Sequence, residues 1–150
     1  MNTTDVQGLE RFVLAQERDF EIALTEISYG RKRSHWMWYI FPQIQGLGFS
    51  DTSKHYGIKD LKEATEYYVH PVLGPRLIKI ARELLHHSDK NAQEIFGSPD
   101  DLKLRSSMTL FATVPGADQI FQQINDQFFN GENDRKTQRI LDLQAYGRQR

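Results

Sequence analysis

The sequence contains no cysteine among its 150 residues. That removes disulfides, thiolate metal ligands and cysteine nucleophiles together, and it suits a reducing compartment. An excess of charge is also missing: 19 basic residues stand against 20 acidic ones, for a net charge of −1. No global field therefore draws the chain toward nucleic acid or an anionic membrane. No apolar run approaches the ~20 residues that span a bilayer, the longest strongly apolar stretch being Trp36 to Phe41. The opening residues, Met1 to Gly8, have neither the basic start nor the apolar centre of a secretory leader. The expectation is a soluble, cytoplasmic protein without a membrane partner, and with nucleic acid disfavoured.

Alternating strand patterns are absent too, and what remains is helical periodicity. Phe12, Ala15, Phe20, Ala23, Leu24 and Ile27 recur at helical spacing and predict a helix over 9–29, stopped at Gly30. Ser34 is placed to cap a short helix over 35–41, closed by Pro42; a strand is the alternative there, because aromatic residues suit strands. Further helices are expected over 59–69, 75–85, 92–96, 98–112, 118–129 and 135–143. Pro75 is read as a first helical residue, and Ser98-Pro99-Asp100-Asp101 as a helix start. The fold class is all-α, a single compact bundle of about seven helices. One domain covers the chain, with a core at about 9–143 and flexible ends at 1–8 and 145–150. At this length about 70% of the unfolded chain's surface is buried on folding, so no staple is needed.

Five stretches carry residue types suited to chemistry. Arg31-Lys32-Arg33-Ser34-His35-Trp36-Met37-Trp38 sets cations beside indoles, a combination that binds phosphate and stacks on rings. A solvated basic turn with core tryptophans is the plainer reading. Phe41 to Gly48 offers Gln43 and two glycines, which let backbone amides approach a ligand, although neither familiar phosphate loop is present. Ser53-Lys54-His55-Tyr56 gathers polar tips in what also reads as a surface loop. Arg76 falls in the first turn of a helix, where a cation opposes the positive helix end; an acidic neighbour or a bound anion is expected to compensate. On the 98–112 helix, Asp100, Lys103 and Ser107 share a face, either as a proton-transfer group or as a plain i, i+3 ion pair. No motif implies a metal or a bound cofactor: His86 and His87 are adjacent, and H-E-x-x-H and G-x-S-x-G are both missing.

The strings Gly30 to Gln43, His70 to Leu77, and Ile95-Phe96-Gly97 with Asp100 to Phe111 resemble the bacterial family called domain of unknown function 1810, over about Leu9 to Leu143. That resemblance implies an all-helical fold and brings no established activity. The calpastatin label sometimes attached to the family does not suit a folded domain. Ser53-Lys54-His55-Tyr56 is in addition similar to the Ser-Glu-His-Tyr motif of the NADAR superfamily, which implies ADP-ribose-related ligands and N-glycosidic cleavage. Lys54 stands where that motif has glutamate.

Two functional readings follow. One is a pocket for a phosphorylated or nucleotide-like small molecule, with a possible N-glycosidase-like activity. Arg33, Trp36, Trp38, Gln43, Ser53, Tyr56, Arg76 and Ser107 would bind the ligand, and His35, Asp100 and Lys103 are the catalytic candidates. The other is a non-catalytic interaction module that presents the basic-aromatic segment to a protein partner. The pocket reading expects Arg33, His35, Gln43, Tyr56, Arg76 and Lys103 to converge on one concave site.

Overall fold

Nine helices and no strand occur in residues 3–148, which the computed structural model describes. They are α1 (Thr3–Ser28), α2 (Met37–Ile40), α3 (Asp51–Tyr56), α4 (Leu61–Val69), α5 (Leu73–Leu85), α6 (Ala92–Phe96), α7 (Asp100–Ala112), α8 (Ile120–Phe129) and α9 (Arg135–Arg148). The all-helical expectation holds, and the expected count of about seven is low. One helix was missed: α3 occupies the stretch that reads as a surface loop. Ser50 caps it, its hydroxyl accepting from the Ser53 amide at 3.1 Å.

Helix α7 is the centre. It packs against α4, α6, α8 and α9, and Ser106 through Phe111 are all buried. Over that C-terminal half the helix is buried on every side, and the one-sided apolar stripe that sequence periodicity detects is lost. Two of its polar side chains are satisfied within the helix: Ser106 donates to the Leu102 carbonyl at 3.2 Å and Thr109 to the Arg105 carbonyl at 2.8 Å. Helix α5 bridges α1, α4 and α8. Its inward residues Leu77, Ile80, Ala81 and Leu84 are at most 1% exposed, as the sequence pattern predicts.

The helix starts are set by local bonds, and those of α4, α5 and α7 differ by two residues from expectation while α6 starts at Ala92 as expected. Ser34 does not cap α2; its hydroxyl donates to Glu26 Oε2 at 2.6 Å instead. Asp60 caps α4, accepting from the Glu63 amide at 2.9 Å. Helix α5 begins two residues before Pro75. Asn91 and Glu94 form a reciprocal capping box at α6. Helix α7 starts at Asp100, with no side-chain cap from Ser98 or Pro99. At the ends, α1 starts at Thr3 and α9 reaches Arg148, beyond the expected 9 and 143; Met1, Asn2, Gln149 and Arg150 of the expected flexible ends lie outside the described residues.

Two long-range ties shape the segment from α1 to α4. Glu26 of α1 accepts from the Arg33 amide at 2.8 Å, the Ser34 amide at 3.0 Å, the Ser34 hydroxyl, and the Trp36 indole at 2.8 Å. The basic-aromatic segment is thereby stitched to α1. Further on, a parallel bridge joins Ile44 and Ile58: the Ile58 amide donates to the Gln43 carbonyl at 2.8 Å and the Gln45 amide to the Ile58 carbonyl at 2.7 Å. That bridge fixes the backbone on either side of Gln43. No helix among the described residues is long and apolar enough to cross a membrane.

Candidate functional site

The two tryptophans of the basic-aromatic segment have opposite fates. Trp36 is 1% exposed and packs against Phe41 and Phe96 at 6.3 and 6.4 Å between ring centroids. It belongs to the core, so neither a ligand nor a protein partner meets its face. Trp38, two residues on, is half-buried and lines a cavity of about 330 Å³.

That cavity lies between the 38–48 segment and α7. Trp38, Gln43 and Leu47 form one side; Pro99, Leu102 and Lys103 form the other. Asp134 and Lys136, at the start of α9, also contribute. Its size sits at the lower end of the ~300–1,000 Å³ typical of small-molecule sites, and its mixture of apolar wall and few polar groups is usual for them.

Lys103 is held in place from two sides. Its ammonium lies 3.0 Å from Asp100 Oδ1 and 4.2 Å from the centroid of the Trp38 ring. The other oxygen of Asp100 pairs with Lys32 at 2.9 Å, and the Lys32 ammonium in turn lies 5.1 Å from the Trp36 ring. Two lysines and two indoles thus flank one carboxylate. Burial pushes the Asp100 carboxyl up, but the bonds from Lys32 and Lys103 outweigh it and hold it below its ordinary value. Asp100 is therefore ionised at neutral pH and acts as a clamp on Lys103. The ion-pair reading of Asp100 and Lys103 is the one this geometry matches, with Lys32 added.

Gln43 is 7% exposed, and its side-chain Nε2 has no hydrogen-bond partner among the described residues. A buried donor left unpaired costs about 1–3 kcal/mol, so it marks either a strained site or a place where an acceptor binds. Gln43 lines the cavity, with Nε2 itself buried just beneath the wall.

The remaining sequence candidates lie elsewhere. Ser53 and Tyr56 sit behind Trp38 and Gln43 in a crevice with only about 10 Å³ of free space. The Tyr56 ring packs on Tyr39 and Phe12 at 5.0 and 5.9 Å, and the Ser53 hydroxyl donates to the Ser50 carbonyl at 2.8 Å. Arg33 and His35 are exposed and line neither space. Arg76 has no acidic partner among the described residues; its guanidinium lies 3.5 Å from Gln16 Oε1 and 5.4 Å from the Phe20 ring centroid. Ser107 is wholly buried on the inward side of α7, so the face expected to join it to Lys103 is split between core and cavity. The six-residue convergence is therefore not what the fold builds: Gln43 and Lys103 meet, Tyr56 lies behind Gln43, and Arg33, His35 and Arg76 are apart. Lys136 escaped the sequence reading, and Lys32 and Leu47 lie within stretches it marked without being singled out.

A larger cavity of about 730 Å³ lies along the outer face of α5, between Tyr68, Ile78, Arg82 and His86. None of the buried unpaired polar atoms lies on its wall. The smaller cavity is the better candidate, because it brings a half-buried indole, a lysine clamped by a carboxylate and the unpartnered Gln43 to one wall. No cluster of three or more His, Cys, Asp or Glu suited to a metal ion occurs among the described residues.

Comparison with known proteins agrees on family and fold. The family model described as "Protein of unknown function (DUF1810)" matches residues 6–141. The crystal structure of a conserved hypothetical protein from Mycobacterium tuberculosis is similar, with a TM-score of 0.88 and 45% sequence identity. That likeness covers 89% of this chain and 96% of the mycobacterial one. No curated protein matches the chain.

Proposed function

Since the chain belongs to the family described as protein of unknown function (DUF1810), whose description names no activity, we propose a function from the site itself: the cavity beside Trp38, Gln43 and Lys103 binds a small ring-bearing molecule rich in hydrogen-bond acceptors, a nucleotide or a close relative. The observation that carries this reading is that Gln43, whose buried Nε2 has no partner among the described residues, lines a cavity that the clamped Lys103 also lines. Both groups only donate at these atoms. The complementary ligand therefore presents acceptors, as the carbonyl oxygens and ring nitrogens of nucleobases do. Leu47, Pro99, Leu102 and the Trp38 indole supply the apolar wall that a flat ring covers.

The reading is one of binding. Asp100 holds Lys103 rather than facing the cavity, and a carboxylate fixed between two ammonium groups is a poor proton donor. Asp134, the carboxylate on the cavity wall, accepts from the Thr137 amide at 3.0 Å and the Thr137 hydroxyl at 2.7 Å. The N-glycosidic cleavage implied by the NADAR likeness has less support than ligand capture, because no free carboxyl faces the ligand space among the described residues.

The test is a thermal-shift titration with the four ribonucleosides, their 5′-diphosphates, NAD and ADP-ribose, run on the wild type and on Gln43→Leu. A ligand at a hundred times its Kd raises stability by about 2.7 kcal/mol. At least one compound is expected to raise the wild-type Tm by several degrees and to leave Gln43→Leu unmoved. No shift at millimolar concentration for any of them contradicts the reading.

A further inference from the structure

Where the chain leaves α1, exposure alternates with a period of two. Tyr29, Arg31, Arg33 and His35 are exposed; between them Gly30 is buried, Lys32 and Ser34 are partly buried, and Trp36 closes the series in the core. Such alternation belongs to an extended chain, whose successive side chains point to opposite sides and whose alternate ones stand roughly 6–7 Å apart. The inward side chains anchor the segment. Lys32, with a side chain 7% exposed, pairs with Asp100 at 2.9 Å, and the Ser34 hydroxyl and Trp36 indole donate to Glu26. The main chain is committed too. The Gly30 and Arg31 amides donate to the Ile27 and Glu26 carbonyls, the Lys32 amide to the Ile95 carbonyl, and the Arg33 and Ser34 amides to the Glu26 carboxylate. No amide from Gly30 to Ser34 is left to accept an added strand, so recognition at this edge falls to the outward side chains.

Those side chains are unmatched. Arg31, Arg33 and His35 make no ion pair among the described residues, and Tyr29 is 79% exposed. The carboxylates around the segment are engaged elsewhere. Glu26 takes the four bonds already described, Asp100 sits between Lys32 and Lys103, and Glu94 accepts from the Asn91 amide in the α6 capping box. Two guanidiniums, an imidazole and a phenol ring are thus held out in a fixed order on an anchored backbone. Tyrosine and arginine are the side chains that carry protein interfaces, and a backbone fixed in advance lowers the ordering cost of binding.

We propose that this ribbon docks an extended acidic segment of a partner protein, with carboxylates at alternate positions meeting Arg31 and Arg33 and an apolar side chain covering Tyr29. Charge complementarity and spacing carry the choice of partner. Two extended chains share one two-residue repeat, and each guanidinium fork takes a carboxylate through paired bonds. A nucleic acid is served less well: two arginines and one histidine release few counterions, and a chain of net charge −1 adds no field to help them. The partner-docking reading of the basic-aromatic segment is thereby kept for its outward half, with both tryptophans left out. The ribbon residues Tyr29, Arg31, Arg33 and His35 do not line the Trp38 cavity, so this surface stands or falls apart from ligand binding there.

The experiment measures fluorescence anisotropy with three labelled probes: a short peptide with glutamates at alternate positions and a terminal phenylalanine, a peptide of the same composition with its glutamates in one block, and a short oligouridylate. The wild type is compared with Arg31→Ala/Arg33→Ala and with Lys79→Ala/Arg82→Ala, a control that removes two exposed cations from the outer face of α5. Arg31 and Arg33 are exposed and their amide bonds survive the change, so the fold is expected to stay intact; circular dichroism checks this. The alternating peptide is expected to bind the wild type at least about ten-fold more tightly than the blocked one, and to lose at least about ten-fold in Arg31→Ala/Arg33→Ala. Its affinity is expected to be unchanged in the α5 control and to fall with rising salt. Equal affinity for the two peptides overturns the proposal, as does binding that survives in Arg31→Ala/Arg33→Ala. Tighter binding of the oligouridylate, or no binding of the alternating peptide at millimolar concentration, overturns it as well.

Discussion

The indole N–H of Trp36 donates to Glu26 Oε1 at 2.8 Å, and that bond decides which tryptophan the protein can use. With its nitrogen satisfied by α1, Trp36 is free to sit in the core, and Trp38 is left to line the cavity. The same carboxylate also takes the Arg33 and Ser34 amides and the Ser34 hydroxyl. Partial burial pushes its pKa up, but the bonds from Ser34, Arg33 and Trp36 prevail and bring it to about 2, from an ordinary 4.5.

A depressed carboxyl pKa in the folded state stabilises above its unfolded value and is lost as pH falls through the folded one. The contribution of Glu26 is therefore complete above about pH 5 and disappears as the pH approaches 2. Glu26→Gln is expected to lower stability at pH 7 by roughly 1–3 kcal/mol, since bonds to a charged acceptor weaken to bonds to a neutral one. Urea titrations between pH 2 and 7 check this. The gap between wild type and variant should close toward low pH, and a gap constant across that range contradicts the assignment.

Gln43→Leu is expected to separate stability from binding. Removing a buried donor without a partner raises stability by up to about 1–3 kcal/mol where the apolar side chain fits. The same change deletes the donor that a ligand would use. Melting curves and ligand titration on one protein sample measure both effects. A variant that is destabilised by several degrees and still binds points to a structural role for the amide.

Asp100→Asn is expected to loosen both lysines without removing either. Lys103 then leaves the Trp38 face, and ligand affinity falls by about ten-fold, the loss of roughly 1.4 kcal/mol of placement. In the wild type this clamp weakens as pH falls, because the Asp100 carboxyl is held below its ordinary 3.8 and protonates only in acid. Fluorescence titration at pH 7 reads the affinity, and unchanged affinity in the variant denies Asp100 its positioning role.

Gly74→Ala tests the α4–α5 corner. A Cβ on Gly74 would overlap the Tyr68 carbonyl oxygen, a backbone atom that cannot yield as a flexible side chain does. The variant is expected to lose more than about 2 kcal/mol, read by thermal or urea unfolding. A melting temperature within a degree or two of wild type would mean that the corner opens easily.

Much of the fold was legible. Leu77, Ile80, Ala81 and Leu84 announce α5 because one face of that helix is buried and the other is wet. The core of α7 was harder: Ser106, Ser107 and Thr109 look exposed in sequence and are buried because neighbours surround the C-terminal half of the helix. Short helices depend on single caps, and Ser34 and Ser50 show how far that signal goes. Both are competent caps, yet Ser34 is taken by Glu26, which lies eight residues away on another element. At the site, Gln43 and Lys103 were picked out for their chemistry. Gln16 and Phe20 occupy the space around Arg76, and only tertiary structure reveals that.

The most direct measurement is a ¹H–¹⁵N correlation spectrum recorded while a nucleoside diphosphate is added, because the two indole N–H signals and the Gln43 side-chain amide can each be followed. The account expects the Trp38 indole and Gln43 amide signals to move together and saturate, with the Trp36 indole, bonded to Glu26, staying in place. Signals of Trp38 and Gln43 that stay fixed at millimolar ligand, or shifts confined to Arg33 and His35, would contradict it.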